Sequence, residues 1–295
     1  MDFTLVVTSY KSGDELERFF RSIADQTFAG QIEVKFVNQC AARPDSCDIL
    51  RAPIQLTELQ SGGRTSLSKA RNIGLSKCAG NIVAFPDDDC WYKPKLLEII
   101  AAYFQDNPGV DCICTNVFDP DRNLPYGKRP VGVTRTISFL NVFKVGISVG
   151  IFVRREALEQ AGAYFDEGLG AGTEIGSGEE TELLARLLNA KCRINYVGSL
   201  QVYHPVPEYA PADGRKNYRY GLGFGHLNGR LLRAGHLGVL CGFAEVVARS
   251  LTGAVVNLGR PIHRTVYWSR LRGILTGFAD VLTCPIRQCS RKAVD

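Results

Sequence analysis

At 295 residues, 45% of them hydrophobic, the chain is long enough for one large domain with a substantial core, or for one domain and an appendage. Lysine and arginine number 35 against 30 acids, and a net charge of +5 is too small an excess to argue for nucleic acid as a partner. Ten cysteines with no CxxC pair and no finger spacing argue against a zinc module and read as reduced thiols of a cytoplasmic protein, with no basic leader in "MDFTLVVTSY".

In chain order, "FTLVVTS" (3–9) is a short β-branched run that predicts a strand. "GDELERFFRSIADQ" (13–26) follows with Leu16, Phe19, Phe20 and Ile23 at helical spacing. "IEVKFVN" (32–38) and "IQLTEL" (54–59) predict two further strands, and "SLSKARNIGLSKC" (66–78) a helix. "NIVAFP" (81–86) is the next strand, and "KPKLLEIIAAYFQD" (93–106) a helix with a proline near its first turn. This alternation predicts an α/β layer with a mostly parallel central sheet flanked by helices. "SVGIFVRREALEQAG" (148–162) reads as strand then helix, the glycine-rich 168–178 leads into a helix at 179–191, and 196–205 closes with another strand. From about 213 onward three amphipathic helices are predicted and no strand. We place a boundary near 210, giving a domain over 1–210 and a C-terminal helical extension over 211–295.

Asp87, Asp88 and Asp89 stand immediately after a strand, where open α/β sheets bind ligands. Three adjacent carboxylates repel one another, so either the turn is solvated or a cation belongs there. Mg²⁺ and Mn²⁺ take oxygen ligands and use one or two carboxylates together with substrate phosphates. Asp87 and Asp89 are two apart and share a side of an extended chain, so one can hold the metal while the other reaches a ribose or the metal's water. A solvated acidic turn is the competing reading; the buried strand before it and Trp91 and Tyr92 after it argue for the cation.

"VVTSYKSGDELERFFRSIADQTF" resembles the opening strand, turn and helix of family 2 glycosyltransferases of the GT-A fold. "SLSKARNIGLSKCAGNIVAFPDDDCWYKP" is similar to their helix, strand and DxD segment, and the stretch from "VGIFVRREAL" to "VYHP" is similar to their acceptor-side half. The resemblance covers residues 3 to 205 and implies a Rossmann-like GT-A domain. It also implies a metal-assisted, inverting transferase of a sugar from a nucleotide-sugar donor, a UDP-sugar by the family's habit, to a glycan or lipid-linked glycan. By the same resemblance Thr8, Tyr10, Arg71, Asn72, Asp87 and Asp88 contact the nucleotide, and Asp89, Asp87 and His204 hold Mn²⁺ or Mg²⁺. Asn38 stands where relatives usually place an aspartate against the base. Glu179 and Glu180 match the paired acids from which the catalytic base comes; the second, Glu180, is the usual base, although aspartate is commoner there. Acids at a helix start also complement the macrodipole, and that remains an alternative for Glu179. Two rival functions are a non-catalytic nucleotide-sugar or glycan-binding relative and a nucleotidyltransferase; the second needs a triphosphate loop, of which "TSYKSGDE" (8–15) is a poor version.

The stretch 237–259 is apolar enough to invite a membrane span, but Glu245 and Arg249 lie near its middle, where a charge costs several kcal/mol. No span is expected. The basic and aromatic run that follows (Arg260, Arg264, Tyr267, Trp268, Arg270, Arg272, then Arg287, Arg291 and Lys292) suits either a peripheral contact with an anionic membrane face or a helical lid.

Overall fold

A computed structural model of the chain describes residues 2–127, 129–206 and 214–283. The first half alternates as the hydrophobic pattern requires. Strands β1 (Phe3–Ser9), β2 (Ile32–Asn38), β3 (Gln55–Gln60) and β4 (Ile82–Ala84) are interleaved with helices α1 (Asp14–Ala24) and α2 (Leu67–Leu75), and α3 (Leu96–Asp106) follows. All seven residues of β1 are buried. Their side chains alternate between two cores: Phe3, Leu5 and Val7 join Phe19 and Phe20 of α1, while Val6 faces the other side with Val83 and Phe85.

The second half contributes β5 (Cys112–Asp119), β6 (Leu124–Pro125), β7 (Thr134–Thr136), β8 (Ile151–Arg154), α4 (Arg155–Gln160), α5 (Glu179–Asn189) and β9 (Ile194–Tyr203). The order across the sheet is β3-β2-β1-β4-β8-β5-β9-β7, with β6 paired to β5. The four strands from β3 to β4 run parallel, β8 lies antiparallel between β4 and β5, and β5 and β9 are parallel again. The central sheet is therefore parallel in its first half and mixed in its second. β5 escapes the sequence pattern because its run, CICTNVFD, interrupts apolar residues with Thr115, Asn116 and Asp119, all three buried here.

Three helices complete the described residues: α6 (Gly214–Arg233), α7 (Val239–Val256) and α8 (Pro261–Thr283). α6 and α8 pack backbone to backbone. A Cβ at Gly221 would collide with the carbonyl oxygen of Arg270, one at Gly225 with that of Ile274, and one at Gly277 with that of Leu222. Glycines spaced by four therefore form the seam between the two helices. Gly225→Leu is expected to lower stability by about 1–3 kcal/mol through overpacking. Gly242→Ala, at a helical glycine of α7 with no atom near its missing Cβ, should be neutral or stabilising. Urea melts of the two variants check this; equal midpoints would contradict it.

α7 is, among the described residues, the one helix long and apolar enough to cross a membrane, with a mean hydropathy of 1.6. Its two charges are engaged: Glu245 accepts from Arg249 Nη2 at 2.6 Å and pairs with Lys144 of the α/β layer. Phe139 stacks on His236 just before α7, with ring centroids 3.8 Å apart. The helix is thus fastened to the sheet domain at its N-terminal half. Of the basic C-terminal residues named above, Arg287, Arg291 and Lys292 lie outside the described residues.

Candidate active site

The acidic turn is built on the end of β1. Thr8 bridges to Asp87 in an isolated parallel pairing that keeps the β1–β4 register three residues beyond the end of β4. Ser9 Oγ donates a short hydrogen bond to Asp88, and Arg18 Nη2 donates to the Asp89 carbonyl at 2.9 Å while its guanidinium lies 3.7 Å over the Trp91 ring. Trp91 and Tyr203 exchange two backbone hydrogen bonds of 2.9 and 3.0 Å, tying the turn to the end of β9. That clasp delivers His204.

His204 Nε2 lies 3.1 Å from Asp89 Oδ1 and 3.9 Å from Asp87 Oδ2. One ligand atom from each of the three residues falls within 4.8 Å of the others. Nδ1 contacts the Pro205 carbonyl at 2.7 Å, and a carbonyl can only accept, so Nδ1 carries a proton and the lone pair of the neutral ring sits on Nε2. Two carboxylates and an outward-facing imidazole nitrogen fit a divalent cation, and the imidazole favours Mn²⁺ over Mg²⁺. Burial alone would raise the Asp89 carboxyl, but a proton on Nε2 makes the ring cationic, and its hydrogen bond and charge then hold the carboxyl below its ordinary value. Asp88 goes the other way, to about 6, because burial and its acidic neighbours outweigh the Ser9 hydroxyl.

The acceptor-side acids are positioned by glycine. Gly170, Gly172, Gly176 and Gly178 all adopt positive φ, and a Cβ at Gly170 would strike the Glu179 carboxylate and Ser68 Oγ. Ser68 Oγ donates to the Leu169 carbonyl at 2.6 Å and Leu67 N to that of Ala171 at 2.9 Å, which seals the loop onto the start of α2. Glu179 is buried and lies 3.7 Å from Arg71 Nη1, Glu180 is half-buried, and both line a cavity of about 490 Å³. Burial and the negative charge of Glu179 push the Glu180 carboxyl up to about 8.

Arg71 departs from the expectation that it faces the nucleotide. Its guanidinium is wholly buried, donates to Asp87 Oδ1 at 2.8 Å, faces Glu179 and lies 5.3 Å over the Phe165 ring. It joins the donor-side turn to the acceptor-side helix rather than to a ligand. Asn72 is likewise spent within the protein: its amide donates to the Phe165 carbonyl and to Glu167, and accepts from Phe165 N at 2.7 Å.

Asn38 also turns inward. It is fully buried, donates to the Ala42 carbonyl at 3.0 Å and to Glu58 Oε1 at 2.9 Å, and accepts from Cys40 N at 2.8 Å. Its amide shapes the turn after β2 and presents no edge to the cleft. Replacing it with the aspartate commoner in relatives would set a carboxylate against Glu58 and remove both donors. Asn38→Asp is therefore expected to cost about 1–3 kcal/mol near neutral pH, with relief as pH falls and either carboxylate gains a proton. Thermal melts at two pH values check it; an unchanged melting temperature at pH 7 would refute it.

A second cavity, about 290 Å³, adjoins the first; Leu67, Asp87, Ala171 and His204 line both. Thr8, Tyr10, Asp88 and Asp89 line the second, as do Gln39 and Arg64, which the sequence pattern did not single out. Arg64 lies 4.3 Å over the exposed Tyr10 ring. On the acceptor side, Tyr126 and Arg129 were also missed. All four sit in loops, where no periodicity marks a residue as inward.

A sheet whose first strands end in a DxD turn facing paired acids defines a sugar-transferring enzyme of the GT-A class. The family model described as "Glycosyl transferase family 2" matches residues 4–162, and the chain belongs to that family; it is a glycosyltransferase. Among solved structures, the chain is similar to S. aureus TarS 1–349 at 18% identity and a TM-score of 0.57, covering 95% of this chain and 91% of that one. The same protein in complex with UDP-GlcNAc matches at 17% identity and a TM-score of 0.57, covering 95% and 90%. The mannosyltransferase PcManGT from Pyrobaculum calidifontis, in complex with GDP-Man and Mn²⁺, matches at 16% identity and a TM-score of 0.62, covering 94% and 87%. No curated protein matches the chain.

Proposed function

We propose that this glycosyltransferase moves a sugar from a nucleotide-sugar donor to a hydroxyl of a glycan or lipid-linked glycan, with inversion at the anomeric carbon. The observation that carries the reading is that Asp87 and His204 line both cavities, so a donor diphosphate at the acidic turn and an acceptor beside Glu180 would meet across one wall. Asp89, Asp87 and His204 would hold Mn²⁺ or Mg²⁺, which when bound supplies positive charge against the diphosphate as the leaving group develops. Glu180 would take the acceptor proton: both acids line the cavity, but Glu179 is buried and paired with Arg71 at 3.7 Å, whereas Glu180 is the more exposed of the two. With Asn38 turned inward, contact with the base falls to Tyr10, Gln39 and Arg64, and UDP-sugars remain the first donors to test. We divide the chain near residue 210, although α6 and α8 contribute Tyr220, Phe224 and Arg270 to the acceptor cavity. The free thiols of all eight described cysteines suit the cytoplasm, with the protein peripheral to the inner face of the membrane.

A panel of nucleotide sugars, each with Mn²⁺, tests the reading by thermal shift and product NMR. One donor should raise the melting temperature selectively, and a product of inverted configuration should form with an acceptor glycan. A donor that binds and is never consumed would instead support a binding protein; consumption of a nucleoside triphosphate would support nucleotidyl transfer.

A further inference from the structure

The C-terminal helices expose an unusual surface. Leu251, Val255, Val256, Leu258 and Ile262, between 46% and 75% exposed, cluster at the elbow where α7 turns into α8, and Trp268 is 53% exposed one turn and a half further on. Ala254, Val255, Leu258, Arg264 and Trp268 enclose a shallow groove there of about 390 Å³. Exposed large apolar groups gathered in one place rather than scattered mark a docking surface.

Charge says what docks. From Val246 to Ala279 the sequence contains no aspartate or glutamate, but it contains Arg249, Arg260, Arg264, Arg270 and Arg272. Arg260 and Arg264 flank the exposed apolar residues and Arg272 stands behind them, all three exposed; Arg249, also exposed, is paired with Glu245 and adds no free charge. An apolar tip inside a cationic collar, with no acid in it, matches the layering of an anionic bilayer: acyl chains beneath, phosphates at the rim. A protein partner of ordinary surface composition gives no reason for this exclusion of acids.

The surface also lies beside the chemistry. Trp268 lines the elbow groove while Arg270, two residues on, lines the acceptor cavity, so α8 connects the two. We propose that the α7–α8 elbow inserts its apolar tip into the interface of an anionic membrane and that this docking presents the acceptor cavity to lipid-linked acceptors. The proposal rests on the transferase reading for its purpose but not for its test, which needs no turnover.

Full-length protein is sedimented with phosphatidylglycerol-containing vesicles and with phosphatidylcholine vesicles, at low and high salt, alongside sedimentation velocity without lipid. Wild type should bind the anionic vesicles at low salt, bind the neutral ones much less, and be partly released by high salt. Val256→Asp with Leu258→Asp should weaken partition by about tenfold or more, as should Arg260→Glu with Arg264→Glu. Both double variants should keep the wild-type melting temperature and the same donor-induced thermal shift, since none of these residues touches the cavities. Equal binding of wild type and both variants to anionic vesicles, or no binding by wild type, overturns the proposal. So does a wild-type dimer that Leu258→Asp dissociates while vesicles are ignored, because the tip would then be covered by a second copy. Vesicle binding without any donor-induced shift would sustain the docking surface and remove the transferase reading.

Discussion

Asp89→Ala is expected to abolish transfer, with a fall in kcat of about 10³ or more, while the melting temperature of the unliganded protein stays close to wild type. The side chain is only half-buried and its partners are His204 and the solvent of the cleft, so its loss opens no core cavity. Its removal relieves repulsion on Asp88 and forfeits the pairing with His204, two effects that oppose each other. What is lost is one of three side chains whose potential ligand atoms gather within 4.8 Å, beside the cavity proposed for the donor. EDTA should inactivate wild type equally, and Mn²⁺ should restore it. Mn²⁺ should shift the melting temperature of wild type and not of the variant. Normal turnover by Asp89→Ala, or activity that survives full chelation, would refute the metal site.

Glu180→Gln should lower kcat by a factor on the order of 10² or more while the donor-induced thermal shift is retained. The amide keeps the size of the side chain and cannot accept the proton. The same change has the opposite effect on stability. The folded carboxyl lies at about 8 against 4.5 for the free group, so in wild type the unfolded chain ionises first. Stability contributed by the neutral carboxyl is present below about 4.5 and is lost as pH rises through about 8. Glu180→Gln escapes that loss, and its stability relative to wild type should grow with pH across this window. Activity should show an acid limb inside the same window, absent from the residual rate of the variant; bound cation in the cleft draws the limb toward the lower end. Transfer of the rate loss to Glu179→Gln would move the base by one residue. Full activity in both variants would leave the pair as a helix cap.

The N-terminal half of the fold was legible because parallel strands separated by amphipathic helices leave two clear periods, and β1, β2 and α1 fall within a few residues of their expected limits. β5 was not, because Thr115, Asn116 and Asp119 break its apolar run: Asp119 accepts from Arg122 N and Val206 N, while the buried side chains of Thr115 and Asn116 make no hydrogen bond that would explain them. The site divides along the same line. Three carboxylates at a strand end announce a cation by residue type, so Asp87 and Asp89 drew attention on chemistry alone, whereas His204 and Glu180 were singled out only through the family resemblance. A guanidinium does not declare what it faces. Arg71 reads identically whether it contacts a phosphate or holds two elements together, and only its burial between Asp87 and Glu179 separates the cases. Asn38 was misplaced for a related reason, since Glu58, 20 residues away, decides which way its amide turns.

The order of strands across the sheet has a consequence for the chain as it is made. β4 is complete at Ala84, yet its second neighbour, β8, spans Ile151–Arg154, and β9 lies beyond β5 in sequence and in space. While the intervening residues are being translated, the four-stranded parallel unit carries an open edge along β4, an invitation to pair with other nascent chains. The fragment present at that stage can enclose a nucleotide pocket on one side only. It has no Glu180 and no His204, which precede and follow β9 in the sequence and reach the site only with that strand. A ribosome-stalled chain ending before residue 150 should therefore need a chaperone and bind no Mn²⁺, and metal affinity should appear abruptly once the Trp91–Tyr203 clasp can close.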